Sequence, residues 1–134
     1  MRNRDAIVAG AWAAVLSGAP STLHAVATGR DPLEPTKAAG SVLLPREMRA
    51  LPLLVAAVPL HLALSFGWAF ALERAGIRGA ARGAAAGLAI AALDLGVVGR
   101  RFPRVRALPL LPQVADHLAY GAVVGFVLAL RSDD

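Results

Sequence analysis

Five ionisable side chains stand inside long apolar stretches of this sequence. They are His24, His61, Asp94, Asp116 and His117. An ionisable group in lipid must find a partner or lose its charge, so each is a candidate for proton transfer, ion binding or ligation. Histidine titrates near neutral pH and can exchange a proton with a carboxylate. The sequence therefore predicts a polar pocket if the fold brings these five together.

Four apolar stretches supply the elements that must position these residues. They cover residues 6–27, 53–72, 80–99 and 113–130 of the 134-residue chain. An α-helix rises about 1.5 Å per residue, so about 20 residues cross the roughly 30 Å hydrocarbon core of a bilayer. We therefore predict an all-α polytopic membrane protein with four transmembrane helices in an up-down bundle, forming a single membrane domain over 1–134.

The alternation of the helices places all five ionisable residues in the same half of the bilayer. Side A denotes the membrane face with the two chain termini, and side B denotes the other face. The half nearest side A holds mainly small and aromatic residues, including Trp12, Trp68 and Phe70. We therefore expect the polar pocket to open toward side B. Because adjacent helical residues point about 100° apart, only one of Asp116 and His117 should point inward.

Each of these residues also has a structural interpretation. His24, Asp116 and His117 lie close enough to the membrane surface to be ordinary interfacial residues. His61 could simply hydrogen-bond across two helices. Asp94 is the deepest carboxylate, and we expect it to pair with a histidine or with an arginine at position 100 or 101.

Small residues recur every fourth position on three of the helices. The glycines are Gly10 and Gly18 on the first, Gly79, Gly83 and Gly87 on the third, and Gly121 and Gly125 on the fourth. Residues four apart share a helix face, and small faces allow the close backbone approach that holds helices together in lipid. These positions are predicted to pack the bundle. The alternative is that a seam on helix three or four forms a homodimer.

Prolines and charges define the connections. Pro20 should kink the first helix or end it a turn early. The motif Asp31-Pro32-Leu33-Glu34 predicts the start of a short interfacial helix over residues 32–44. The short turn from Glu73 to Gly79 predicts that helices two and three are antiparallel neighbours.

Composition excludes several classes of function. Hydrophobic residues make up 57% of the chain and charged residues 17%. The formal net charge is +5, but the arginines lie in short loops where they meet lipid phosphates, so nucleic acid is not an expected partner. The chain contains no cysteine, which excludes disulfides and thiolate metal sites. Side B carries eight basic residues against six on side A, which favours side B as the cytoplasmic face.

Two stretches carry a resemblance to a known group. Gly-Ala-Pro-Ser-Thr-Leu-His over 18–24 and Ala-Asp-His-Leu-Ala-Tyr-Gly-Ala-Val-Val-Gly over 115–125 look like the first and last helices of small bacterial four-helix membrane proteins. They are similar to the YagU-type inner-membrane family. The resemblance implies a multi-pass protein of the bacterial cytoplasmic membrane. It brings no established catalytic residues.

Three functions follow from these patterns. The first is a non-enzymatic accessory, assembly or partner-binding subunit in the lipid bilayer, as a homo-oligomer or within a larger membrane complex, with no cofactor and no metal. The second is a proton or small-ion channel or carrier that uses the His/Asp pocket. The third is a b-type haem or metal subunit, with His61 and either His24 or His117 as ligands. The sequence carries no Gly-x-Ser-x-Gly, His-Glu-x-x-His or phosphate-loop motif, so enzymatic activity is the weaker expectation.

Overall fold

The structure, a computed structural model that describes residues 2–132, contains only helices and their connections within that range. Four helical segments are long and apolar enough to cross a membrane. We number these spans one to four: Asn3–Ala27, Ala50–Arg74, Ala80–Arg101 and Leu110–Leu130. The chain is therefore an all-α protein with four potential membrane-spanning helices.

The helices differ from the predicted stretches mainly at their ends. They are α1 (Arg2–Leu16), α2 (Ala19–Ala27), α3 (Glu34–Leu43), α4 (Ala50–Arg74), α5 (Ala80–Leu93), α6 (Pro103–Arg106) and α7 (Leu110–Leu130). Pro52 and Pro112 directly precede the predicted stretches 53–72 and 113–130, yet α4 and α7 each begin two residues before these prolines. The first backbone N–H groups of a helix have no acceptor within it, so a proline is tolerated anywhere in the first turn.

The interfacial helix α3 also begins later than expected. Its first residue is Glu34, whereas the sequence motif predicts a start at Pro32. The Oδ1 atom of Asp31 accepts the backbone N–H of Leu33 at 2.9 Å, which closes a separate turn ahead of the helix. A Cβ built at Gly40 would lie 1.9 Å from the carbonyl oxygen of Leu53, so α3 packs directly against the backbone of α4.

Span one is interrupted at Ser17 and Gly18, just past its middle. The helix α1 ends at Leu16 and α2 begins at Ala19. Pro20 explains the interruption, because its nitrogen cannot donate to the carbonyl of Leu16 and its ring clashes with that turn. The sequence predicted this break, which frees backbone groups on both sides of it.

Span three is irregular toward side B. Regular α-helix ends at Leu93, followed by a π-helical turn at Asp94–Val98 and a 3₁₀ turn at Gly99–Arg101. The predicted helix over 80–99 is therefore continuous in direction but not in hydrogen bonding. Such π-turns are frequent at functional positions.

The spans pack in the order two, one, four, three. Helix α4 packs on α1, the two helices of span one pack on α7, and α7 packs on α5. Helices α4 and α5 do not pack along their lengths, although the turn between them is short. The prediction that helices two and three are neighbours is therefore wrong. The ring of spans is open between them.

The glycines of α5 explain this order. A Cβ built at Gly83 would lie 2.0 Å from the carbonyl oxygen of Gly121, and one built at Gly87 would lie 2.1 Å from that of His117. Gly79 has a positive φ of 88°, and its N–H donates to the carbonyl of Gly125 at 2.8 Å. These contacts bring the two backbones together in antiparallel register, so the seams on α5 and α7 face each other within one chain.

The two predicted packing glycines of span one behave differently. A Cβ built at Gly10 would lie 2.9 Å from the ring of Phe66, so Gly10 lies in the contact between α1 and α4. Apart from its chain neighbours, no atom of residues 2–132 lies within 4 Å of a Cβ built at Gly18. Gly18 lies in the helix break and does not pack the bundle.

We predict that Gly121→Ala destabilises the protein by about 1–3 kcal/mol, because its Cβ would meet backbone atoms that cannot move aside. Gly67→Ala is the matched control, since a Cβ built there meets no non-neighbouring atom of residues 2–132. That control should be neutral or stabilising by up to about 1 kcal/mol. Reversible unfolding in mixed micelles measures both. Equal stability of the two variants would contradict the close contact of α5 with α7.

Candidate functional site

His61 binds the end of the first half of span one. Its Nε2 atom lies 2.9 Å from the carbonyl oxygen of Ala14. A carbonyl only accepts, so Nε2 carries the proton and donates it. The last four carbonyl groups of a helix receive no N–H donor from within it, and that of Ala14 is one of these in α1. His61 therefore supplies from α4 a donor that the broken helix lacks.

Asp116 binds the start of the second half of the same span. Its Oδ1 atom accepts the backbone N–H of Ser21 at 2.8 Å. Ser21 lies in the first turn of α2, where N–H groups have no helical acceptor. Asp116 thus acts as an N-terminal cap supplied by a different helix, α7. An anion is also favoured there by the helix dipole.

His117 and Asp94 form a polar pair that joins span four to span three. The Nε2 atom of His117 lies 3.3 Å from Oδ2 of Asp94, and its Nδ1 atom lies 2.7 Å from the carbonyl oxygen of Gln113. The carbonyl requires the proton on Nδ1. A hydrogen bond between Nε2 and the carboxyl group then requires one further proton, held by either partner. The expectation that Asp94 pairs with a histidine agrees with this geometry.

Of Asp116 and His117, only one was expected to point into the bundle. Both contact a neighbouring helix, because span four lies between spans one and three. Asp116 faces α2, and His117 faces the π-turn of span three. The angle of about 100° between adjacent side chains directs the two residues to different neighbouring helices and does not turn either one away from the bundle.

His24 lies apart from these contacts, in the wall of a cavity at side B. The cavity has a volume of about 260 Å³ and lies between α2, α3 and the start of α7. Ser21 and Gln113 also line it, and these two are the partners of Asp116 and His117. The cavity therefore reaches the hydrogen-bond partners of both half-buried groups, Asp116 and His117, from one side of the protein.

Charged residues surround the mouth of the cavity. Arg104 donates two hydrogen bonds to Glu34, at 2.5 and 3.1 Å, and Lys37 contacts Glu34 at 3.1 Å and Asp31 at 2.5 Å. The hydrogen bond from Arg104 holds the pKa of the Glu34 carboxyl below its ordinary value of 4.5. The contribution of this pair to stability is therefore present above pH 4.5 and is lost only as the pH falls through the lowered value.

The side A end also contains polar residues, which the sequence analysis did not single out. Glu73 is only 2% exposed, and Arg78 approaches it at 3.4 Å while donating to the hydroxyl of Ser132 at 2.8 Å. Arg131 pairs with Asp5 at 2.7 Å. The position of Glu73 in the last turn of α4, next to a loop, gave no sign that it would be buried. The half nearest side A is therefore not only small and aromatic.

The five predicted residues therefore fall into three groups. Asp116 and His61 flank the break in span one, Asp94 joins His117, and His24 lines the cavity. Tyr120 was not predicted, and its hydroxyl donates to the carbonyl of Ser65 inside the core. Within residues 2–132, no three His, Asp or Glu side chains come together to hold a metal ion.

Comparison of the chain with protein-family models, curated proteins and solved structures gives no match. The roles of these residues therefore follow from geometry alone.

We predict that Asp116→Ala destabilises the protein by about 1–2 kcal/mol, because the N–H of Ser21 loses its acceptor. Asp116→Asn keeps an acceptor oxygen and should recover at least half of that loss. Unfolding in mixed micelles, monitored by circular dichroism, gives both free energies. If alanine proves as stable as asparagine, the cap contributes nothing.

Proposed function

We propose that this protein is a small, non-enzymatic subunit of the bacterial cytoplasmic membrane that binds another membrane-embedded segment. The observation that supports this is the open side of the helix ring between spans two and three. Only 17% and 22% of an apolar 18-residue stretch in spans two and three is buried, against 33% in spans one and four. A further helix, from another protein or from another copy of this chain, would complete the ring.

The engagement of the intramembrane ionisable residues supports the same proposal. His61 and Asp116 satisfy backbone groups at the break, and Asp94 and His117 bind each other. Side chains that satisfy backbone groups and each other in this way stabilise the fold. The YagU-type resemblance of the first and last spans suggests a location in the bacterial cytoplasmic membrane. We do not propose haem ligation through His117, because both of its ring nitrogens already have partners.

Two leucines of α4 provide a matched test. Leu62 and Leu64 are 42% and 45% exposed and, being two residues apart, point to different faces of the helix. The 13.8 kDa chain, tagged and extracted from its native membrane in mild detergent, should migrate as a larger complex of defined mass. Tryptophan at one of these two positions should release the chain from the complex, whereas tryptophan at the other should not.

Native mass spectrometry measures the mass of each variant. Recovery of the unmodified protein only as a single chain would exclude the proposal. Retention of the complex in both variants would place the partner away from span two and contradict the open side as the binding surface.

A second candidate function is a proton carrier, favoured by the additional proton that the Asp94 and His117 geometry requires. The pair lies at a π-helical turn, and span one is broken in the same half of the membrane. Discontinuous helices around ionisable groups are typical of transporters. The cavity at side B reaches Gln113, whose backbone carbonyl accepts a hydrogen bond from His117.

If the protein carries protons, Asp94→Asn should reduce the flux into proteoliposomes at least tenfold, because the amide cannot accept the transferred proton. Glu47→Gln, which alters a carboxylate in the connection between α3 and α4 that does not line the cavity, is the control and should retain the flux. A pH-sensitive dye inside the vesicles gives the rates. Equal flux in both variants, or none in the unmodified protein, would eliminate this function.

A further inference from the structure

A groove of about 550 Å³ runs between span three and the start of span four near side B. Its wall on span three is apolar, with Leu88, Ala91, Ala92 and Leu95. Leu110 and Val114 form part of the opposite wall. The volume lies within the roughly 300–1,000 Å³ typical of sites for small molecules. The groove and the cavity near His24 share only two lining residues, Leu108 and Gln113.

The length of the groove corresponds to one leaflet. Leu88 and Arg100 are twelve residues apart along span three, which is about 18 Å of helix. Half of the hydrocarbon core of a bilayer is about 15 Å thick. A groove that begins at Leu88 and ends at Arg100 thus extends from near the middle of the membrane to the headgroup level of side B.

Two arginines stand at the end nearest side B. Arg100 and Arg106 both line the groove and are exposed, and Arg106 donates to the carbonyl oxygen of Arg100 at 3.4 Å. Neither guanidinium makes an ion pair with a carboxylate of residues 2–132, in contrast to the paired Arg104. The groove therefore combines apolar walls with two positive charges at one end that have no counter-ion in this part of the chain.

Gly96 keeps the middle of the groove open. It lies in the π-turn and lines the groove, and a Cβ built there meets no non-neighbouring atom of residues 2–132 within 4 Å. A larger side chain at this position would project into free space. The opening thus depends on the small size of residue 96 and not on a packed contact.

We propose that this groove binds one anionic phospholipid from the side B leaflet. An acyl chain lies along the apolar wall from Leu88 to Leu95, and the phosphate accepts hydrogen bonds from Arg100 and Arg106. Guanidinium groups suit phosphate because their donors match two oxygens at once. An anionic headgroup is preferred over a zwitterionic one because the latter brings its own positive charge. This proposal does not depend on the proposed function.

The first test compares lipids with identical acyl chains. Purified full-length protein is titrated with phosphatidylglycerol and with phosphatidylcholine, and bound lipid is counted by native mass spectrometry. We expect one phosphatidylglycerol to bind preferentially. Arg100→Gln and Arg106→Gln should each weaken its affinity about fivefold, the effect of one arginine near a charged headgroup. Arg46→Gln removes an exposed side B charge that does not line the groove, and it should leave the affinity unchanged.

The second test fills the groove without changing charge. Gly96→Leu should abolish binding of the single lipid, whereas Gly67→Leu, at an exposed glycine of span two, should not. Circular dichroism verifies that both variants fold. If Gly96→Leu does not fold, the arginine variants still decide the matter.

Three outcomes would overturn the proposal. Equal affinity for the two lipids would show that the arginines do not select the headgroup. Equal weakening by Arg46→Gln would indicate general surface attraction. Displacement of the lipid by millimolar glycerol phosphate would show that the site recognises free phosphate and that the apolar wall contributes nothing.

Discussion

The structure depends on how backbone groups find partners inside a membrane. Water is absent from the hydrocarbon core, so every free N–H and carbonyl must be satisfied by the protein. Pro20 removes one donor and interrupts span one, which leaves unpaired groups on both sides of residues 17 and 18. His61 supplies a donor to one side and Asp116 supplies an acceptor to the other. The positions of spans two and four around span one follow from this requirement.

Close backbone contact is the second source of cohesion. Spans three and four meet through glycines, and the N–H of Gly79 crosses directly to the carbonyl of Gly125. Hydrophobic attraction contributes little between helices in lipid, so this contact relies on dispersion and polar interactions at short range. Because span four packs on span one as well as on span three, it holds the bundle together, whereas spans two and three each bury one face. That asymmetry leaves the ring open on one side.

The irregular parts of the fold lie together. The break in span one and the π-turn in span three are both nearer side B, and the cavity and the groove also lie there. Helices that deviate from regular geometry leave space and expose polar groups. The side A end is instead closed by ion pairs, with Glu73 buried beside Arg78. The two ends of the protein therefore differ in chemistry.

The sequence alone determined the class of fold, because four apolar stretches of bilayer length have few alternatives, and it located the break at Pro20. It also identified five ionisable side chains within the spans, since charge in an apolar stretch is visible without coordinates. Only the tertiary structure decided what those side chains do. Whether Asp116 meets a metal, a proton or the N–H of Ser21 depends on which helix lies opposite, and spacing along one helix does not contain that information. The order of the spans was likewise settled by matching glycine faces on α5 and α7, which outweighed the short turn between spans two and three.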